Sequence, residues 1–319
     1  MSGQIDRRER MLGAVLGQFV GDALCLGSHW YYDMAERDRI LPGGPEGFDR
    51  PVDGHYHAGR GPGDLTHYGE AALILLRSLA AQDGLDVVDQ GRRLVAHFGA
   101  PEHVGYLDKA TRELLARWRA WQDRAGAGPY GFQDGADDHH NVTTSRLAPL
   151  AVRHAGDPRL PELVAAVVRI CQNNAQAIAY ARVHAAILMG LFDGSTLRKA
   201  VEESLAAAPE EELRVLWPRV EAMLATPVLA ATGEFGRACA LASAFPAALH
   251  AALRHEDDPA EALLACCRAG GDNASRCALV GAWLGARHGL SGLPAEWVAR
   301  LNEGEEIRRL AGRILPQAA

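Results

Sequence analysis

Apolar residues recur at three- and four-residue spacing along nearly the whole chain, and no stretch alternates apolar with polar as a half-buried strand would. Leu73, Leu76 and Leu79 show the pattern, then Leu114, Leu115, Trp118 and Trp121, then Leu163, Val164, Val167, Val168 and Cys171. This predicts an all-α fold. Two of the helices carry small residues along one side. Near the N-terminus Met11, Leu12, Val15, Leu16, Phe19, Val20, Ala23 and Leu24 keep helical spacing, with Gly17, Gly21 and Gly27 thinning one face. Near the other end, 277–288 carries Leu279, Val280, Trp283 and Leu284 on one face and Gly281, Ala282, Gly285 and Ala286 where a neighbour can approach closely. Turn residues separate the helices at 41–63, 125–144, 154–161 and 255–259. The first two loops are long for a compact chain, and such loops often carry function. One holds His55 and His57, the other Asp137-Asp138-His139-His140, a group that suits either a metal or plain solvation.

With 319 residues, 48% of them hydrophobic, the chain can bury a sizeable core, and it reads as one domain over 1–319. A net charge of -7 without a long basic block speaks against nucleic acid or an anionic membrane as a partner. The apolar run 185–192 is too short to cross a bilayer and the polar start, Ser2 to Arg10, does not read as a signal peptide, so a cytoplasmic location is expected. Six cysteines, at 25, 171, 239, 266, 267 and 277, lack the paired spacing of a zinc site and read as buried free thiols. Cys277 is the one thiol close enough to a candidate loop to be considered for chemistry.

Three stretches concentrate polar chemistry. Gly270-Gly271-Asp272-Asn273-Ala274-Ser275-Arg276 sets a glycine turn and one carboxylate directly before a helix. The exposed N–H groups of a helix start suit an anion such as phosphate, and Asp272 suits a cation or a sugar hydroxyl; an ordinary helix cap is the plainer alternative. Ser28-His29-Trp30-Tyr31-Tyr32-Asp33 follows Gly21-Asp22-Ala23-Leu24 and could line a pocket for a ring, or simply plug the core. Gly59 to Glu70, with Asp64, Thr66, His67, Tyr68 and Glu70, is a glycine-rich loop that runs into a helix over 71–81.

Taken in order, these motifs resemble those of the ADP-ribosylglycohydrolase family. Gly21-Asp22-Ala23-Leu24 resembles the opening motif, Ser145-Arg146-Leu147-Ala148-Pro149-Leu150 the central Arg-x-x-Pro segment, Cys239 with Ser243-Ala244-Phe245-Pro246 the stretch before the last motif, and Gly270-Gly271-Asp272 the start of that motif. The likeness spans roughly residues 8 to 300. It implies a compact orthogonal multi-helix bundle and, as partner, a small-molecule or protein-linked ADP-ribose conjugate. Members of the family typically hold two magnesium ions with Thr-Asp-Asp-Thr and Asp-x-Asp-Thr sequences plus an acidic residue after the first motif. Here those positions read Thr66-His67-Tyr68-Gly69, Asp272-Asn273-Ala274-Ser275 and His29, and Gln172-Asn173-Asn174 stands where a Thr-His pair is usual. Only Asp272 remains of the usual metal carboxylates. Magnesium demands hard oxygen ligands, so no cofactor is expected beyond, at most, one weak cation at Asp272, Thr66 and Ser275. The pattern of replacements resembles a divergent branch that includes the jellyfish J1-crystallins and the selenoprotein J group.

Breaking an N-ribosyl bond spreads positive charge over the ribose, which calls for a carboxylate on one face and a proton donor to the leaving group. On the resemblance, Asp272 is expected to hold ribose hydroxyls or a cation, Asp64 to act as base, and His29 or His67 to move a proton. Asp22, Trp30, Thr66, Tyr68, Glu70, Arg146, Asn173, Asn174, Asn273, Ser275 and Arg276 complete the expected substrate-binding set. A hydrolase acting on ADP-ribose or a related nucleotide conjugate is the leading expectation. A non-catalytic nucleotide-binding protein and a crystallin-like structural protein are the alternatives.

Overall fold

The computed structural model describes residues 5–126 and 128–316. Residues 2–4 of the polar start and Ala127 of the 125–144 loop lie outside the described residues. Regular structure is helical throughout: α1 (Arg7–Leu24), α2 (Met34–Ile40), α3 (His67–Gln82), α4 (Val87–Phe98), α5 (Lys109–Gln122), α6 (Ala148–Arg153), α7 (Leu160–Cys171), α8 (Ala175–Phe192) and α9 (Leu197–Ala206) form the first part. α10 (Glu211–Arg214), α11 (Leu216–Met223), α12 (Val228–Phe235), α13 (Leu241–Arg254), α14 (Pro259–Arg268), α15 (Asn273–His288), α16 (Ala295–Ala299) and α17 (Gly304–Ile314) follow. Among the described residues strand pairing is limited to two isolated bridges, Ala136 with Gln172 and His140 with Ala240. The all-α expectation holds.

Side-chain caps set several helix starts. Asp6, Asp33, Thr66, Asp86, Asp108, Asn174, Thr196 and Asp258 each accept a hydrogen bond from an N–H in the first turn of the helix they precede. Each bond satisfies a donor that the helix geometry leaves without a partner. α3 begins at His67 rather than at the expected 71, because Thr66 takes the cap, so His67 and Tyr68 belong to the helix and not to the loop before it. α15 likewise begins at Asn273, four residues ahead of expectation.

The molecule is organised around α1 and α15, which run antiparallel with their glycines interleaved. A Cβ placed on Gly13 would fall 2.1 Å from the Gly285 carbonyl oxygen, one on Gly17 2.1 Å from that of Gly281, and one on Gly21 2.0 Å from that of Cys277. The reverse contacts hold for Gly281 and Gly285, each 2.0 Å from the carbonyl opposite. Two backbones this close exclude every side chain larger than hydrogen from the seam. Outside it, Leu16, Phe19, Val20, Leu279, Val280 and Trp283 are wholly buried in the surrounding core. The antiparallel register has one consequence for function: the C-terminal end of α1, with Asp22, lies beside the N-terminal end of α15, with Asp272.

α8 corrects one detail of the sequence reading. Although its apolar run at 185–192 is short, the whole 18-residue helix is long and apolar enough to span a bilayer on those two criteria; 67% of it is buried inside the fold. All six cysteines are free thiols, five of them buried and Cys239 partly so. Cys277 is fully buried.

Candidate functional site

Asp22 ties the end of α1 to the start of α3. Its carboxylate accepts from the Thr66 N–H at 2.8 Å and the Gly69 N–H at 3.1 Å, and from the Thr66 hydroxyl. Gly69 is required there, since a Cβ would come within 2.2 Å of the carboxylate. Burial raises the Asp22 carboxyl to about 7 against the pull of those hydrogen bonds. With its oxygens taken up by the first turn of α3, Asp22 positions that helix and offers nothing to a ligand.

Asp272 occupies the N-cap position of α15, yet its side chain does not cap the helix. It accepts instead from the Ser275 hydroxyl at 2.5 Å and the Tyr68 hydroxyl at 3.3 Å, and its Oδ1 lies 3.4 Å from His29 Nε2. Asn141 donates to Ser275 at 3.0 Å. On the far side His29 Nδ1 meets Asn273 Oδ1 at 3.0 Å, and the Asn273 amide donates to the Ser28 hydroxyl and the Cys267 carbonyl, both at 2.9 Å. Asp272, His29, Asn273 and Ser275 are fully buried. Burial raises the Asp272 carboxyl and lowers His29 well below the ordinary imidazole range, with the neighbouring imidazoles of His57 and His67 adding to the latter. Both shifts drive the pair toward its neutral form, as a low-dielectric interior does.

Above this network opens a cleft of about 400 Å³ walled by Trp30, Tyr32, Tyr56, Tyr68, Tyr106, Asp108, Lys109, Arg112, His140, Val142 and Cys239. Its size suits a small ligand. Trp30 stacks edge-on with Tyr106 at 4.4 Å and with Tyr56 at 5.1 Å, making an aromatic wall. The Trp30 backbone is left-handed, φ 66°, a strained conformation for a bulky residue that costs of the order of 1–3 kcal/mol and tends to occur where function demands it. It is held by two hydrogen bonds to the glycine turn, Trp30 N–H to the Gly271 carbonyl at 2.8 Å and Gly271 N–H to the Tyr31 carbonyl at 2.7 Å. Gly271 is itself left-handed at φ 65° and sits against the Arg237 carbonyl, with 2.3 Å left for a Cβ.

Other parts of the lining are cationic. Lys109 and Arg112 rise from the first turn of α5, and His140 faces Asp138, whose Oδ1 is 3.2 Å from His140 Nδ1. That contact, helped by Cys239, pushes His140 up to about 10. Asp138 is 2% exposed and fixed by its own contacts with the His140 N–H and the Gln172 amide. Gln172 also donates to the His140 carbonyl and accepts from Thr143 N–H, pinning the whole turn. Asp108 brings the one carboxylate of the cleft wall. It caps α5 through Thr111, and burial raises it while the charge of Arg146 opposes.

Of the expected site residues, Trp30 and Tyr68 wall the cleft, and Asp272, His29, Asn273, Ser275, Thr66 and His67 form the buried layer beneath them. His29 and His67 are 0% and 3% exposed, and neither is among the residues that wall the cleft. The remaining expected residues do not line the cleft. Asp64 is tied to the Gly61 N–H at 2.7 Å and the Asn302 amide at 2.6 Å, outside the cleft, and Glu70 pairs with Arg60 at 2.8 Å. Arg146 donates to the Val142 carbonyl, and Arg276 to the Gly270 and Arg237 carbonyls, each serving the backbone. Asn174 caps α8, and Asn173 is exposed at its start. Missed altogether were Tyr32, Tyr56, Tyr106, Asp108, Lys109, Arg112, His140 and Cys239. A Tyr-x-Asp-Lys run opening a helix carried the signal for three of these, but nothing local says which cleft it would face. A larger groove, about 660 Å³, lies elsewhere between α2, α12 and α14 and shares no residue with this network.

Comparison with known proteins agrees with the geometry. The sequence profile of the ADP-ribosylglycohydrolase family matches residues 3–319. Crystallin J1A of Tripedalia cystophora is 25% identical over 316 residues, covering 96% of each chain, and crystallin J1B of the same organism is 24% identical over 316 residues, covering 97% of each. A solved structure described as an ADP-ribosylglycohydrolase-related protein complex superposes with a TM-score of 0.68 at 28% identity, covering 97% of this chain and 98% of the other. In sequence profile and in fold alike, this chain belongs to the ADP-ribosylglycohydrolase family.

Proposed function

We propose that the protein is an N-glycoside hydrolase that takes an ADP-ribose conjugate, or a related ribosyl nucleotide, into the aromatic cleft and cleaves it without a pair of magnesium ions. The observation that carries the reading is the convergence in one cleft of three kinds of group: the rings of Trp30, Tyr56 and Tyr106, the cations Lys109, Arg112 and His140, and a single lining carboxylate, Asp108. Rings stack on a base, cations hold a pyrophosphate, and a carboxylate answers the positive charge that develops on ribose.

The absence of a magnesium role is supported by the donor chemistry. The oxygens of Asp22 are used by α3, those of Asp272 by Ser275 and Tyr68, and the Thr66 hydroxyl by Asp22. His67 and Tyr68 stand where the family carries carboxylates, and this donor set does not suit a magnesium pair. In the reading that follows, Asp108 takes a proton from water as its oxygen bonds to the ribose C1. The C1–N bond breaks, and the leaving nitrogen receives the Tyr68 proton. The raised Asp108 carboxyl is the stronger base for it. Burial holds the Tyr68 phenol protonated, so the proton that the step needs is present, and the hydrogen bond to Asp272 fixes the hydroxyl in place.

A second reading is favoured by a specific observation: Asp272 is sealed beneath Tyr68, and two relatives are described as crystallins. On that reading the cleft binds a nucleotide and does not turn it over. Incubation with ADP-ribosylated arginine, ADP-ribosylated serine and small nucleotide conjugates, in magnesium and in EDTA, separates the two, with free ADP-ribose followed by mass spectrometry. The hydrolase reading expects release in both buffers, and a fall of about 100-fold or more in kcat for Asp108→Asn. Binding by calorimetry with no release from any conjugate would replace it with the second reading.

A further inference from the structure

Outside the cleft, three side chains that the reading above does not use converge on one point. Glu70 lies in the first turn of α3, His97 in the last turn of α4, and His103 in the connection that follows. One ligand atom from each, a carboxylate oxygen and two imidazole nitrogens, all lie within 4.8 Å of one another. Glu70 Oε2, His97 Nε2 and His103 Nε2 are each sealed from solvent and lack a hydrogen-bond partner. Buried polar atoms rarely stand unpaired, and three side chains that converge while each keeps an unpartnered atom ask for a shared partner.

We propose that Glu70, His97 and His103 form a binding site for a zinc-class divalent cation. Two imidazoles and a carboxylate are the donor set that zinc accepts with a fourth position left for water, and imidazole disfavours magnesium and calcium. Bond lengths near 2.1 Å put tetrahedral ligands roughly 3.4 Å apart. His97 Nε2 is already 3.5 Å from Glu70 Oε1, so modest side-chain rotation closes the set. Arg60 holds Glu70 through Oε1 at 2.8 Å and leaves Oε2 free. Its charge offsets that of the carboxylate, which weakens the site without blocking it.

The local fold builds the site. α4 ends at Gly99, and the His103 N–H donates to the Ala100 carbonyl at 3.0 Å, turning the chain so that His103 comes back over His97 with ring centroids 5.3 Å apart. Phe98 packs against both rings, at 4.8 Å and 5.2 Å. On the other side Gly105 gives room, since a Cβ there would lie 3.2 Å from His103 Nε2. Tyr106 and Asp108, which wall the cleft, come next in the same connection. A metal would therefore fasten the segment that delivers them to the beginning of α3, a positioning role separate from the chemistry of the cleft.

The test uses full-length protein stripped with a chelator and then dialysed free of it. Zinc titration by calorimetry, with elemental analysis after dialysis, is expected to give one zinc per chain. Cobalt is expected to give the visible absorption of a tetrahedral site. Replacing a ligand costs at least the 10-fold or so that loss of a mere outer partner costs, so His103→Gln should weaken zinc by about 10-fold or more and His97→Gln/His103→Gln should abolish stoichiometric binding. Zinc should raise the Tm of the parent protein and not that of His103→Gln. His103 lies in a connection between helices, so that variant tests the site even if the helical His97→Gln misfolds. No stoichiometric zinc, or unchanged affinity and cobalt spectrum in His103→Gln, overturns the proposal.

Discussion

One of the three cations of the cleft, His140, owes its charge to a contact between side chains. Asp138 keeps His140 cationic up to about pH 10, so an anionic ligand should bind with little dependence on pH between 6 and 9. In Asp138→Asn the imidazole returns toward its ordinary range near 6.5, and the affinity for ADP-ribose should fall as pH rises from 6 to 8, by about 10-fold if the cation touches phosphate. Calorimetry across that pH range checks both curves; parallel curves would remove His140 from the ligand. The stability contribution has the same sign. A raised histidine stabilises the fold below its unfolded value and that gain disappears as pH passes through the folded one. Residues of this kind are where sequence reasoning is weakest. The Asp272, His29 and Trp30 region could be located from composition alone, because polar and aromatic residues crowd beside helix ends there. Asp64 and Arg276 could not be told from ligand-binding residues, because a charged group that staples the backbone or a loop and one that meets a ligand look alike until the partner, Asn302 or the Gly270 carbonyl, is known. Asp108 and His140 reach the cleft only through tertiary packing of α5 and the 125–144 loop.

Helices were legible because their period and caps are local. Boundaries moved at α3, where Thr66 caps the helix upstream of the first apolar residue, and at α15, which begins at Asn273 without a side-chain cap. The small-residue faces of α1 and α15 were visible too, although which helix each would meet was not. Their mutual fit gives a sharp expectation. Gly17→Ala or Gly281→Ala puts a methyl group at 2.0–2.1 Å from a facing carbonyl oxygen, with backbone and not a flexible side chain in the way. The helices must separate, at a cost of the order of 3 kcal/mol, whereas Gly312→Ala, with open space around it, should be neutral or slightly stabilising because alanine favours helix. Chemical denaturation of the three variants measures the difference. Equal midpoints for all three would mean that the seam yields more readily than its geometry implies.

For the whole molecule, composition and periodicity sufficed for the all-α architecture, and ordered motifs for the family; the path by which distant segments meet was not written locally. A ligand that holds the aromatic and cationic walls together binds the folded chain alone. ADP-ribose at 100 times its Kd should then stabilise by about 2.7 kcal/mol and raise Tm by about 5 °C, while ribose alone should do neither. Thermal scanning with adenosine, ADP and ADP-ribose would show which wall contributes; no shift with any of them would argue against a nucleotide in this cleft.

The pairing of α1 with α15 also governs the order of events during synthesis. The first long helix emerges early, yet the helix that covers its glycine face is made only when nearly the whole chain has left the ribosome. Until then that face has no partner, and Gly271, whose hydrogen bonds hold Trp30 in the cleft wall, is not yet in place. A polypeptide cut short before α15 would be left with the glycine face of α1 uncovered against its missing partner.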